Sequence, residues 1–209
     1  MIKRELYMNR IRPFIGGELI KVMTGIRRSG KSVMLELIKE ELAEAGVAPS
    51  QMISINFEDM RYSHLQTATA LHDEIIKRAE GIEGKAYLFF DEIQEVEGWE
   101  KCVNSLRVAL DCDIYITGSN AKLLSGELAT YIGGRYVEFV IYPFSFAEFL
   151  ELYHTIAPSD SIQQCFQKYL LAGGMPYLAN LRYEEEPSRQ YLTDLSLIHI
   201  SEPTRHLRI

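Results

Sequence analysis

Cysteine is scarce in this sequence. The three present, Cys102, Cys112 and Cys165, are odd in number and match no zinc-binding spacing, which argues against a disulfide framework and for reduced core thiols. Long apolar runs are missing too: none approaches the ~20 residues that span a bilayer, and the opening "MIKRELYMNR" lacks the apolar stretch of a signal peptide. A cytoplasmic chain with no membrane partner is the expectation. Positive charge is in deficit, with 22 Lys and Arg against 29 Asp and Glu and a formal net charge of -7. That balance argues against autonomous nucleic-acid binding and favours small ligands and protein partners. There are no internal repeats, and the only biased segment is the short acidic "YEEEP".

What is present is enough hydrophobic residue, 47% of 209 positions, for one well-buried domain with a small annex. Short apolar runs predict strands over 19–24, 52–56, 86–91, 113–117 and 136–142. Between them "KSVMLELIKEELAEAG", "ATALHDEIIKRAEG" and "WEKCVNSLRVAL" have apolar residues at helical spacing. Strand and helix in alternation imply an α/β fold, a parallel sheet covered on both faces. After Pro143 the pattern turns helical, in "SFAEFLELYH", "SIQQCFQKYLLAGG" and "PYLANLRYEEE". The expected organisation is a core over 1–142 and a helical, lid-like annex over 143–194. The remaining 195–209 match neither the period nor the composition before them. Leu195 to Arg205 resembles the reading-frame translation of a transposase adapter from sequencing libraries, so this tail is expected to be non-native and the natural chain to continue past Asp194.

The first strand runs into "GIRRSGKS", Gly25 to Ser32, and then a helix. In G-x-x-x-x-G-K-[ST] the glycines let the backbone curl until successive N–H groups face phosphate oxygens, so Gly25, Ile26, Arg27, Arg28, Ser29 and Gly30 form a candidate phosphate cradle. Lys31 would reach the β and γ phosphates and Ser32 would offer its hydroxyl to Mg2+. The helix N-terminus adds partial positive charge. A tight strand-to-helix turn is the competing reading, and for Arg27 and Arg28 a solvated flank.

The third strand ends in "LFFDEIQE", where an apolar run gives way to two carboxylates. A buried, unpaired carboxylate is costly, so compensation by metal is expected: Asp91 as a Mg2+ ligand, with Glu92 orienting or deprotonating an attacking water. Glu92 could instead be a helix cap or a solvated strand end. "TGSN" closes the fourth strand and places Thr117, Ser119 and Asn120 at the same edge, with Ser119, ahead of Asn120, as a sensor of the γ-phosphate, against an ordinary turn. Arg135, before the fifth strand, is a candidate arginine finger acting in cis or on a neighbouring subunit, hence a possible homo-oligomer, against a surface salt bridge.

The phosphate loop, "FFDEIQ", "ITGSN", "GRYVEFVIYPFSFAEFL" and "YLLAGGMP", in this order, resemble the prokaryotic AAA-type P-loop ATPases that carry a C-terminal domain of unknown function. That resemblance implies a five-stranded sheet in the order 5-1-4-3-2 with Glu92 catalytic, and ATP as the nucleotide. No guanine-reading Asn-Lys-x-Asp motif occurs. It also implies that Gly174 and Pro176 of the annex help close the site, beside their plain reading as helix stop and start. The expected activity is Mg-dependent ATP hydrolysis driving a conformational change in the service of an unidentified protein client. An ATP-gated switch with negligible turnover is the alternative, and a small-molecule kinase is disfavoured because no acceptor pocket is legible.

Overall fold

The structure, a computed structural model, describes residues 2–118 and 132–201, with side chains through 196. Strands β1 (Ile20–Thr24), β2 (Met52–Asn56), β3 (Ala86–Asp91), β4 (Cys112–Thr117) and β5 (Tyr136–Val140) form one parallel sheet in the order β2-β3-β4-β1-β5. Read from the other edge, this is the 5-1-4-3-2 order of a P-loop α/β fold. The central strands β1 and β4 are buried along their whole length, whereas edge strand β2 alternates, with Ile53 and Ile55 buried and Ser54 and Asn56 exposed.

Successive strand residues face opposite sides of a sheet, and this divides the core in two. Ile20, Val22, Leu88, Phe90, Ile114 and Ile116 pack on one face against α3 (Ala68–Ala79) and α4 (Trp99–Ala109) through Leu71, Ile75, Val103 and Leu106. Met23, Phe89, Tyr115 and Phe139 pack on the other against α1 (Glu5–Ile11) and α2 (Lys31–Glu44) through Tyr7, Ile11, Met34 and Ile38. The second face also holds polar residues. Lys21 and Asp113, both fully buried, form an ion pair; Lys21 Nζ also donates to the Leu19 carbonyl at 2.9 Å, and Asp113 Oδ2 accepts from Gly16 N–H and Tyr115 O–H, each at 2.7 Å.

All five strands run the same way, so the loop after β1, Asp91 at the end of β3 and Thr117 at the end of β4 share one edge of the sheet. The Lys21–Asp113 pair lies toward the opposite edge.

The chain divides into two compact units, the first reaching Tyr142 and the second beginning at Pro143. The second unit contains α5 (Phe146–Tyr153), α6 (Ile162–Ala172) and α7 (Glu185–Ser201). Ser145 with Glu148, and Ser161 with Gln164, form capping boxes that start α5 and α6. Phe149, Tyr153, Cys165, Met175, Leu178 and Tyr183 are buried together. The helix expected over "PYLANLRYEEE" does not form: Pro176–Ala179 makes a single 3-10 turn, and Arg182 and Tyr183 take positive φ, 50° and 54°, which a right-handed helix cannot contain. The helix restarts at Glu185 and runs through Asp194 without a break.

Candidate nucleotide site

The loop between β1 and α2 turns on two glycines. Gly25 has φ 144°, and a Cβ there would lie 2.2 Å from the Ile141 carbonyl oxygen, so any side chain would force the loop away from the residue that follows β5. Gly30, at φ 100°, precedes the first residue of α2. Lys31 is 5% exposed and curls back over the loop, with Nζ 3.4 Å from the carbonyl oxygens of Gly25 and Ile26. Ser32, in the first turn of α2, is exposed, as are Ile26, Arg27 and Arg28. Arg27 pairs with Glu58 across 3.6 Å at the surface, the solvated flank of the plain reading.

Across the edge, Asp91 is 6% exposed and its Oδ1 accepts the Thr117 hydroxyl proton. The same hydroxyl oxygen accepts the Glu92 N–H at 3.0 Å. Thr117 thereby brackets the two carboxylate residues from the neighbouring strand. Glu92 has φ 54°, a left-handed conformation costing of order 1–3 kcal/mol for a residue with a side chain. It swings the carboxylate out of line with the strand, so that Glu92 Oε1 is 3.8 Å from Lys31 Nζ and Oε2 accepts from Gln94 Nε2. The Gln94 Oε1 atom is buried with no partner among the described residues.

Lys31, Asp91 and Glu92 thus stand at one edge of the sheet with the loop glycines and Ser32. The fit to magnesium rests on donor chemistry: a strand-end carboxylate and an exposed hydroxyl are hard oxygen ligands, and Mg2+ keeps several waters instead of requiring a protein cage. Ser119 and Asn120 lie outside the described residues. Arg135 is at the far end: its carbonyl accepts the Ile20 N–H at the start of β1, roughly 15 Å from the loop at strand rise, and its guanidinium donates to Asn104 Oδ1 at 2.8 Å. Within one chain it does not reach the site. Gly174 and Pro176 belong to the second unit, where Gly174 has a packing reason of its own. A Cβ there would meet the Phe144 carbonyl oxygen at 2.1 Å, and its carbonyl accepts the Phe144 N–H at 2.7 Å.

Three further residues touch this arrangement. Thr117, which "TGSN" places at this edge with Ser119 and Asn120, bonds the two carboxylate residues. Gln94 closes the "FFDEIQ" segment but carries no expected role there. Arg4 is 2% exposed, 25 residues before the loop carbonyl to which it donates, and no local pattern marks it.

The family model described as an AAA domain matches residues 18–150, from the start of β1 through the loop and both carboxylates into α5. The chain belongs to the AAA domain family. An uncharacterized protein of Haemophilus influenzae is 44% identical over 176 residues, covering 84% of this chain and 44% of that protein. One of Methanocaldococcus jannaschii is 35% identical over 185 residues, covering 83% and 40%. The AAA chain described here therefore spans less than half the length of either relative. Among solved structures, a RuvB variant of Thermotoga maritima superposes with a TM-score of 0.56 at 14% identity, covering 94% of this chain and 64% of that one. DnaA of Aquifex aeolicus bound to AMPPCP does so at 0.50 and 13%, covering 96% and 70%. These two likenesses establish the shared fold.

Proposed function

We propose that this AAA domain binds ATP with magnesium and hydrolyses it, using the turnover to drive a conformational change. The observation that carries the reading is the position of Glu92: a strained backbone aims its carboxylate at the head of the phosphate loop, 3.8 Å from the loop lysine. Strain of this kind at a strand end is retained where a side chain has to be aimed.

Each residue then has a task. The loop N–H groups and Lys31 hold the phosphates. Ser32 and Asp91 hold magnesium, whose charge steadies the oxygens of the transferred group when it is bound. Glu92 takes a proton from the attacking water as that water bonds to the γ-phosphorus and the bond to the β-phosphate oxygen breaks, giving ADP and phosphate. Thr117 keeps Asp91 and Glu92 in a fixed relation. Ser119 and Asn120 are proposed to sense the γ-phosphate. Arg135, remote from its own loop, would act on the nucleotide of a neighbouring copy, which makes a homo-oligomer part of the reading.

One observation favours a slower alternative. Lys31 and Gln94 together restrain the Glu92 carboxylate, as an ATP-gated switch with negligible turnover would require. Phosphate release from Mg-ATP by wild type, Glu92→Gln and Lys31→Ala, with ATP binding measured in parallel, separates the two. Hydrolysis predicts turnover by wild type, binding without turnover by Glu92→Gln at a cost of about 10²-fold or more, and lost binding by Lys31→Ala. Binding by wild type with no phosphate release supports the switch. Absence of binding by wild type refutes both.

A further inference from the structure

Arg4 is the most buried arginine among the described residues, and its guanidinium meets two backbone carbonyls and a ring. Nη1 donates to the Ser29 carbonyl at 3.0 Å and Nη2 to the Tyr142 carbonyl at 2.8 Å. The guanidinium lies 4.6 Å over the Tyr7 ring, and Tyr7 in turn accepts the Tyr142 N–H on its hydroxyl at 3.1 Å. The backbone of Arg4 is itself left-handed, φ 46°, so the residue is held in place at some conformational expense. A forked, permanently charged donor can join two carbonyls in this way, and an ammonium on a flexible stem cannot hold both in fixed geometry.

The two carbonyls come from consequential places. Ser29 is in the phosphate loop, and Tyr142 is the last residue before the chain enters its second unit. In a trans peptide the C=O of one residue and the N–H of the next point in opposite directions. By drawing the Ser29 carbonyl toward itself, Arg4 turns the Gly30 N–H the other way. A Cβ on Gly30 would sit 3.4 Å from Arg4 Nη1, so the guanidinium lies directly behind the loop. At 2% exposure it does not itself offer a surface to a ligand.

We propose that Arg4 is a positioning residue that sets the peptide orientation of the phosphate loop and ties it to the Tyr142 backbone at the exit from the first unit. Its consequence for affinity rests on the nucleotide reading above, whereas the tie itself does not. The tie links loop conformation to the point where the chain passes into its second unit.

The test uses the full chain with Arg4→Gln, Arg4→Lys and Tyr7→Phe, reading hydrogen exchange over 26–33 and 140–144 without nucleotide, and affinity for a fluorescent ATP analogue. Arg4→Gln is expected to speed exchange in both segments by about tenfold or more and to weaken ATP binding by about tenfold, the scale of one charged hydrogen bond. Tyr7→Phe, which loses only the bond to Tyr142 N–H, is expected to speed 140–144 alone and leave affinity within about twofold. Arg4→Lys keeps the charge and is read by the same criteria if Arg4→Gln fails to fold. Wild-type exchange over 26–33 in the Arg4 variants, or equal effects from Tyr7→Phe, would overturn the inference. If wild type binds no ATP the nucleotide reading falls, and the exchange data still decide whether Arg4 holds the loop.

Discussion

Lys31 Nζ and Glu92 Oε1 stand 3.8 Å apart, with the lysine side chain 5% and the glutamate side chain 19% exposed. On the proposed nucleotide reading, a phosphate at the loop competes with Glu92 for the ammonium. Removing the charge of Glu92 should therefore improve ATP binding while abolishing turnover. A partly shielded pair of this kind is worth roughly 1 kcal/mol, which corresponds to roughly fivefold in affinity. Titration calorimetry on Glu92→Gln reads it directly, and weaker binding than wild type would show that the pair does not compete.

Gly25→Ala should be much more damaging than its chemistry suggests. The added methyl carbon would lie 2.2 Å from the Ile141 carbonyl oxygen at a φ of 144°, and relieving that contact should cost roughly 1–3 kcal/mol. Urea denaturation measures the loss, and nucleotide binding should fail with it. A stability within about 0.5 kcal/mol of wild type would mean that the loop can leave the Ile141 carbonyl freely.

Thr117→Val should separate the two carboxylates. It removes the proton given to Asp91 and leaves the Glu92 N–H without its acceptor, at a cost of about 1–3 kcal/mol. Turnover should fall further than ATP affinity, and Thr117→Ser should restore both. Equal activity in Thr117→Val and wild type would remove Thr117 from the site.

The turn between β1 and α2 and the strand-end carboxylates were legible because they are local: eight consecutive residues make the turn, and "DE" closes an apolar strand. The order of the strands was not a matter of periodicity, and came from the family resemblance. Contacts that cross the fold left no local trace. Thr117 meets Asp91 across 26 positions and Arg4 meets Tyr142 across 138. Helix α1, seven residues long, spans too few turns to establish a period. The helix expected after Pro176 is interrupted for a different reason. Arg182 and Tyr183 adopt the left-handed region without a glycine or asparagine to announce it.

Alkali should destabilise the fold. Burial pushes the Cys102 thiol up to about 12 and the Cys112 thiol up to about 11, from an ordinary value of 9.0. Above pH 9 the unfolded chain loses these protons while the folded chain keeps them, so the folded state binds more protons and stability falls as pH rises. The slope approaches about 1.4 kcal/mol per pH unit per thiol. Denaturation midpoints between pH 8 and 10.5 should drop, and Cys102→Ala should flatten the fall. A midpoint independent of pH over that range would contradict the assignment.

Asp113→Asn should cost about 3–5 kcal/mol, because it leaves the Lys21 ammonium buried without a countercharge. Lys21 is already disfavoured in its charged form by burial, which lowers its pKa against the opposing pull of Asp113. Equilibrium unfolding of Asp113→Asn and of a Lys21→Met, Asp113→Leu pair would show the single change to be the worse of the two.

That ion pair also decides which alignment of the central strands can exist. Lys21 stands opposite Tyr115 in the β1–β4 ladder, and Asp113 lies two residues before Tyr115 on the same face. Hydrophobic residues alone would tolerate a slip of one position, since β1 and β4 are apolar on both faces. Such a slip would turn either Lys21 or Asp113 to the α3 and α4 side, stranding each charge in hydrocarbon. Two polar atoms at one end of the sheet thus act as a key cut for a single register, and the phosphate loop at the other end inherits its alignment with Asp91 from that choice.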